Sequence, residues 1–265
     1  MVAAFRPAWV RQKGGHRMDL FSLPRLGVVV PPENPTAEPE FHRLVGGALN
    51  VYTSRFPVLP GLGLRDMLER YNAVLADTLA GFGGMRLDAA VVACSASHYL
   101  LAPAGDRAFC ERLSERAGFP VRSSTQAILA ACEAFGADGL TLVSPYEPWL
   151  TDTSRDFWRR AGLRVDEVVL VPAGDRFDPY AVTRAEILDR LYGRPLPGDG
   201  ALLFTGTGMA TLAALETLAR DTDRLLLTSN LASAWWALRE VGAWGPGTAA
   251  AHPLLARLAQ VPEAA

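Results

Sequence analysis

The sequence predicts an α/β fold of two pseudo-symmetric, doubly wound parallel-sheet lobes with an active-site cleft between them. Three observations lead there. The chain is 265 residues long and 49% hydrophobic, enough to bury a sizeable core. Short apolar, β-branched runs alternate with helix-period segments along most of its length. Three strand ends of the first half also have counterparts, in the same order, in the second half.

Taken in order, residues 26–30, 50–53, 89–93, 140–143, 168–171, 201–204 and 225–227 read as strands. Apolar runs of that length between helices belong in a parallel sheet covered on both faces. Residues 38–44, 64–80, 108–117, 124–135, 148–161, 179–191, 208–219 and 230–241 carry apolar side chains at three- and four-residue spacing and read as the crossover helices. Val30-Pro31-Pro32-Glu33 answers Val143-Ser144-Pro145-Tyr146, and Val92-Ala93-Cys94-Ser95 answers Phe204-Thr205-Gly206-Thr207. Arg122-Ser123-Ser124-Thr125 answers Leu227-Thr228-Ser229-Asn230. Lobe one is expected to comprise residues 24–123 plus 230–265, and lobe two residues 124–229. Ligands of open α/β sheets sit at the carboxyl ends of the strands, so two facing lobes should hold a small carboxylate between these turns.

Residues 1–23 form a polar leader with Arg6, Arg11, Lys13 and Arg17, expected to be disordered, and Met18 offers an alternative start. The net charge of -2 is dispersed, without the basic stripe that nucleic acid requires. No apolar run reaches the ~18 residues of a membrane span, nor does the leader resemble a secretory signal, so a cytoplasmic location is expected. Cys94, Cys110 and Cys132 lack the spacing of a disulfide framework or a zinc site, and the four histidines form no metal-type pair. Lys13, the sole lysine, lies in the leader, which argues against a pyridoxal phosphate Schiff base. No metal and no cofactor are expected. A homo-oligomer is compatible with the sequence.

The turns carry a resemblance. Gly27-Val28-Val29-Val30-Pro31-Pro32 is similar to the opening strand and double proline of arylmalonate decarboxylases, and the spacing of Asn34, Thr36, Glu38 and Glu40 resembles a stretch of maleate isomerases. Ala93-Cys94-Ser95 stands where the aspartate/glutamate racemase superfamily keeps its first catalytic cysteine. Ser144-Pro145-Tyr146 resembles the substrate-gripping tyrosine turn, and Thr205-Gly206-Thr207-Gly208-Met209 resembles the second cysteine turn. The chain is similar to that superfamily's arylmalonate decarboxylase and maleate isomerase branch over roughly residues 26–242. What the resemblance implies is a cofactor-independent enzyme acting on a small dicarboxylate, with Cys94 catalytic and Pro31, Pro32, Asn34, Ser95, Tyr146, Gly206, Thr207 and Gly208 around the substrate.

The departure from the pattern is informative. Racemases of this kind use two thiols on opposite faces of one carbon, whereas here the second position resembles Gly206. Arylmalonate decarboxylases resemble the mirror arrangement, with cysteine second and glycine first. One thiol suffices to protonate an enediolate after CO₂ leaves, within an oxyanion cradle of the Ser95, Tyr146 and Thr207 hydroxyls and the N–H groups around Gly206 and Gly208. That decarboxylation of a substituted malonate is the first reading. The alternatives are maleate-type cis-trans isomerisation with Cys94 as nucleophile, and a non-catalytic carboxylate-binding protein. A thiol on lobe one should also protonate the face opposite that reached from lobe two, so exchanging Cys94 and Gly206 is expected to invert the product.

Several residues invite blander readings. Cys110 and Cys132 fall in helical patterns as small hydrophobes, and His98 reads as structural. Arg55 either pairs with a substrate carboxylate or is a solvated surface group. Trp235-Trp236 either lines an aromatic-substrate pocket or packs between lobes, and Gly61-Leu62-Gly63-Leu64 reads as a loop covering the pocket.

Overall fold

The computed structural model describes residues 20–263 apart from 194, 196 and 197. The leader, with its basic residues and Met18, therefore lies outside the described residues up to residue 19, and Leu20–Ser22 form a short 3-10 turn. Eight parallel strands follow in two four-stranded sheets. The first contains β1 (Arg25–Val30), β2 (Asn50–Arg55), β3 (Ala89–Val92) and β4 (Val121–Ser123) in the order β2-β1-β3-β4. The second contains β5 (Gly139–Ser144), β6 (Arg164–Leu170), β7 (Ala201–Phe204) and β8 (Leu226–Thr228) in the order β6-β5-β7-β8. The same strand order recurs in both halves, and the three matched strand ends occupy equivalent places: β1 with β5, β3 with β7, β4 with β8.

Helices α1 (Ala37–Val45), α2 (Leu64–Ala80), α3 (Ser95–Tyr99), α4 (Ala102–Ala117) and α5 (Ser124–Ala134) belong to the first half of the chain. Then come α6 (Pro148–Arg160), α7 (Arg184–Tyr192), α8 (Leu212–Leu218), α9 (Ser229–Glu240), α10 (Pro246–Ala249) and α11 (Pro253–Leu258). Strands β3, β5 and β7 are buried along their whole length and β1 from Leu26 on, while β2 and β6, at the sheet edges, are mostly half-buried. That is the pattern of a sheet covered by helices on both faces. Helix α9 packs on α1, α5 and β3, so a helix that leaves the second sheet closes against the first.

Each difference from the expected elements has a physical cause. Strand β4 has only three residues and too little apolar sequence to register as a run. Helix α7 begins at Arg184 rather than residue 179, because Thr183 and Glu186 form a reciprocal capping box that sets its first turn. Helix α8 begins at Leu212, four residues after the expected start. Its position is set from across the molecule: Glu40 Oε1 accepts the N–H groups of Thr211 (2.8 Å) and Leu212 (3.1 Å), and Glu40 Oε2 accepts Asn230 Nδ2 (2.8 Å). Burial pushes the Glu40 carboxyl above its usual range, opposed by Asn230, Thr211 and Leu212.

Glu40→Ala would leave those three donors without an acceptor, at about 1–3 kcal/mol for each one that water does not reach. For a chain of this size the expected fall in Tm is roughly 6–12 °C for a loss of about 3 kcal/mol. A thermal melt within about 2 °C of wild type would show that Glu40 does not hold α8.

Candidate active site

In each sheet the central pair, β1 with β3 and β5 with β7, is where connections leave in opposite directions, the crevice in which open α/β sheets bind ligands. The four turns at these strand ends converge. Pro31, Pro32 and Asn34 follow β1, Cys94 and Ser95 follow β3, Tyr146 follows β5, and Thr207 and Gly208 follow β7. All eight line one cavity of about 660 Å³. Gly206 lies beside them: a Cβ added there would sit 3.0 Å from the Tyr146 hydroxyl.

The first-lobe turn is fastened before it meets any ligand. Asn34 Oδ1 accepts the N–H groups of Thr36 and Ala37 at 2.9 and 3.0 Å and so caps α1, while its Nδ2 donates to Thr207 Oγ1 at 3.1 Å. Thr36 Oγ1 donates to the Gly208 carbonyl at 2.7 Å. Arg55 pairs with Glu38 and donates to the carbonyls of Pro31, Pro32 and Asn34. Every second residue of the Asn34-to-Glu40 stretch thus holds a turn of the site. The Arg55 guanidinium is committed to shaping the mouth of the cavity.

The hydroxyls have partners too. Thr207 Oγ1 donates to the Ala93 carbonyl at 2.8 Å, and Ser95 Oγ lies 2.8 Å from Ser124 Oγ and 3.0 Å from Ser229 Oγ. With those protons engaged, the N–H groups of Ser95 and Ala96, which open α3 and have no partner in the preceding turn, are available to an anion. Tyr146, 9% exposed, is held by its backbone, whose N–H donates to Ser144 Oγ and whose carbonyl accepts Thr151 Oγ1, while its hydroxyl has no partner among the described residues and borders the cavity. Burial pushes its pKa well up, so it is a donor that stays protonated.

Cys94 is 4% exposed and stands at the N-cap position of α3, with no capping hydrogen bond from its side chain. Burial pushes its thiol up, opposed by the hydroxyl and N–H of Ser97. Among the described residues lining the cavity there is no Lys, Arg or His to favour a thiolate. Cys110 and Cys132 are buried in α4 and α5, pushed up to about 12, and neither lines this cavity. Alkylation by iodoacetamide should therefore be slow at neutral pH, rise continuously past pH 9 and mark Cys94 alone in the folded protein. A plateau below pH 8 in peptide mass spectra would contradict a neutral thiol.

The pocket also holds residues that the motifs did not indicate. Tyr71 of α2 lines it, with its ring stacked on Phe56 at 4.5 Å. Phe177, Asp178 and Tyr180 enter from the loop after β6, and Tyr180 lies so close over Gly208 that a Cβ there would be 2.3 Å from its ring. Tyr71 shares the core spacing of Leu68, Leu75 and Leu79, so sequence alone reads it as packing. The internal repeat carried a usable signal for the loop, since the segment after β2, the counterpart of β6, also lines the pocket with Val58, Leu59 and Pro60. Of the expected covering loop, residues 61–64, only Leu64 lines the cavity, together with the preceding Pro60.

The aromatic-pocket reading of Trp235 and Trp236 is corrected. Both line a separate outer groove with Ala130, Glu133 and Arg239, and Arg239 and Arg122 sit over their rings at 5.1 and 5.4 Å. His98 is buried beside Asp106, its Nδ1 2.6 Å from Oδ1. With Cys110 these form the one grouping of potential metal ligands among the described residues. Asp106 is satisfied without an ion, because Ser123, Thr125 and Gln126 also donate to it at 2.6–2.9 Å. Burial opposes its ionisation, but His98 and the Thr125 and Gln126 donors outweigh that and hold the carboxyl low. No helix among the described residues is long and apolar enough to cross a membrane.

No curated protein sequence matches the chain. Among solved structures, the maleate isomerase Iso of Pseudomonas putida S16 superposes with a TM-score of 0.71 at 20% identity, covering 83% of this chain and 93% of that one. A variant of the Nocardia farcinica maleate cis-trans isomerase with a covalently bound succinylcysteine intermediate gives a TM-score of 0.72 at 21% identity, covering 83% and 93%. Unliganded arylmalonate decarboxylase gives 0.68 at 18% identity, covering 84% and 94%. These likenesses establish the two-lobe fold. Residues 26–252 match the arylmalonate decarboxylase family, a stretch running from β1 to the last residue before α11, and the chain therefore belongs to that family of enzymes.

Proposed function

We propose that this protein is a cofactor-independent decarboxylase of a substituted malonate, with Cys94 as the proton donor. One carboxylate of the diacid accepts hydrogen bonds from the Tyr146 hydroxyl and the N–H groups at the start of α3. The other breaks its bond to the central carbon and leaves as CO₂, and the electron pair passes into an enediolate on the retained carboxylate. The Cys94 thiol then gives its proton to that carbon, and the thiolate regains one from solvent.

The observation that carries this reading is the state of Cys94. It is the one thiol that lines the cavity, it is kept neutral by burial, and no cationic side chain lines the cavity among the described residues. An acid is what an enediolate needs, whereas addition to a double bond needs a thiolate. The wall formed by Val58, Leu59, Leu64, Met67, Leu68 and Leu150 further suits an apolar substituent. Burial of a carboxylate against such a wall also favours its loss as neutral CO₂.

Phenylmalonate and maleate distinguish the readings. CO₂ from phenylmalonate, with no mass added to the protein by maleate, is the expected result. A covalent maleate adduct on Cys94 with no CO₂ would favour the isomerase, and inertness toward both would favour a carboxylate-binding protein. Exhaustive dialysis against EDTA should leave turnover unchanged; activity lost there and restored by a divalent ion would overturn the mechanism.

A further inference from the structure

The cavity has an unusual charge balance for a pocket that receives a diacid. Among the described residues, Glu33, Glu147 and Asp178 line it and no basic side chain does. The nearby arginines are committed elsewhere: Arg55 to Glu38 and three carbonyls, Arg65 to the face of Trp149 at 5.0 Å. Glu147 accepts the Trp149 indole N–H and Asp178 accepts the Tyr180 backbone N–H, while Glu33 and Asp178 line the cavity together with Tyr180. Glu33 is exposed at the mouth and has no ion-pair partner among the described residues.

Beside these carboxylates stand the rings of Tyr71, Phe177 and Tyr180. Tyr71 is 2% exposed, locked by its stack on Phe56, and its hydroxyl has no hydrogen-bond partner among the described residues although it borders the cavity. A hydroxyl at the wall of a cavity with no partner in the protein is free to pair with a ligand that enters. Glu33, Tyr71 and Tyr180 line the same cavity.

We propose that this recess binds a positively charged group, an organic ammonium, carried on the substituent of the substrate. The proposal rests on the decarboxylase reading and narrows its substrate class. Aromatic faces attract a cation that has lost part of its hydration, and carboxylates flanked by low-dielectric walls concentrate a negative potential over it. The same potential opposes entry of a dianion, and a cationic end on the substrate offsets that repulsion. The apolar wall then holds the stem between the reacting carbon and the ammonium.

Two malonates of similar shape test this: 4-(aminomethyl)phenylmalonate, cationic at neutral pH, and neutral 4-ethylphenylmalonate. Wild-type kcat/KM should favour the cationic substrate by about tenfold, with the preference falling as salt rises. Glu33→Gln and Asp178→Asn should each reduce that preference several-fold, by lowering kcat/KM for the cationic substrate and raising it for the neutral one as the potential opposing the dianion weakens; the asparagine can still accept the Tyr180 N–H that Asp178 Oδ1 holds at 3.0 Å. Equal or reversed preference in wild type, or an unchanged preference in both variants, overturns the proposal. Calorimetric titration with benzylammonium and with benzyl alcohol gives a readout that needs no turnover. If neither malonate releases CO₂, the decarboxylase reading fails, and tighter binding of benzylammonium, weakened in Glu33→Gln, still supports the cation recess, whereas equal binding of the two probes refutes it.

Discussion

Cys94→Ala is expected to lower CO₂ release from a substituted malonate by about 10²–10⁴-fold, the range for loss of a positioned general acid. Cys110→Ala should stay within about threefold of wild type, because truncating a buried thiol far from the substrate acts only on packing. The contrast follows from position. All three thiols are buried and pushed up, but only Cys94 lies at the carboxyl end of a central strand and lines the cavity. Both variants should fold. Cys94→Ala removes one sulfur at the cavity wall, where solvent or substrate takes its place, so its Tm should stay within a few degrees. Comparable turnover in Cys94→Ala and wild type would rule out the acid and the nucleophile together.

Gly206→Cys is expected to reduce turnover more than tenfold without creating a two-thiol racemase. The backbone at Gly206 has φ +93°, where a side chain other than glycine's is strained, a cost on the order of 1–3 kcal/mol. An added Cβ would also meet the Tyr146 hydroxyl at 3.0 Å, its ring carbon at 3.3 Å and Pro145 at 3.4 Å. Tyr146 thus fills the space in which a second thiol would stand, and the new side chain must displace a donor proposed to bind the carboxylate. The expectation that exchanging Cys94 and Gly206 simply inverts the product changes accordingly: the double variant should turn over poorly because the tyrosine is in the way. Product from the wild-type enzyme should still be a single enantiomer, since a thiol reaches the carbon from one face only. A Gly206→Cys protein with wild-type Tm and turnover that racemises its product on chiral chromatography would refute this account of the second position.

The elements most visible in the sequence are those whose cause is local. The buried strands at 89–92 and 201–204 are unbroken apolar runs, and the turns that follow them carry the small and hydroxylated residues that a close ligand requires. Elements missed or misplaced, such as β4 and the start of α8, are short or capped from elsewhere. Tyr71 was hidden because one helix face serves both the core and the cavity, and spacing does not tell the two apart.

By itself the sequence determined the repeated strand-turn-helix order, the placing of one cysteine and one glycine at equivalent turns, and the chemistry those turns can offer. Each depends on the period of apolar residues or on a few consecutive positions. Tertiary structure alone decided which of those groups remain free to act. Asn34 meets Thr207 across 173 positions, Glu40 meets Asn230 across 190, and Ser95 meets Ser229 across 134. Hydrogen bonds are short-ranged and directional, so whether a hydroxyl spends its proton within the protein or keeps it for a substrate is settled only when distant segments are brought within about 3 Å.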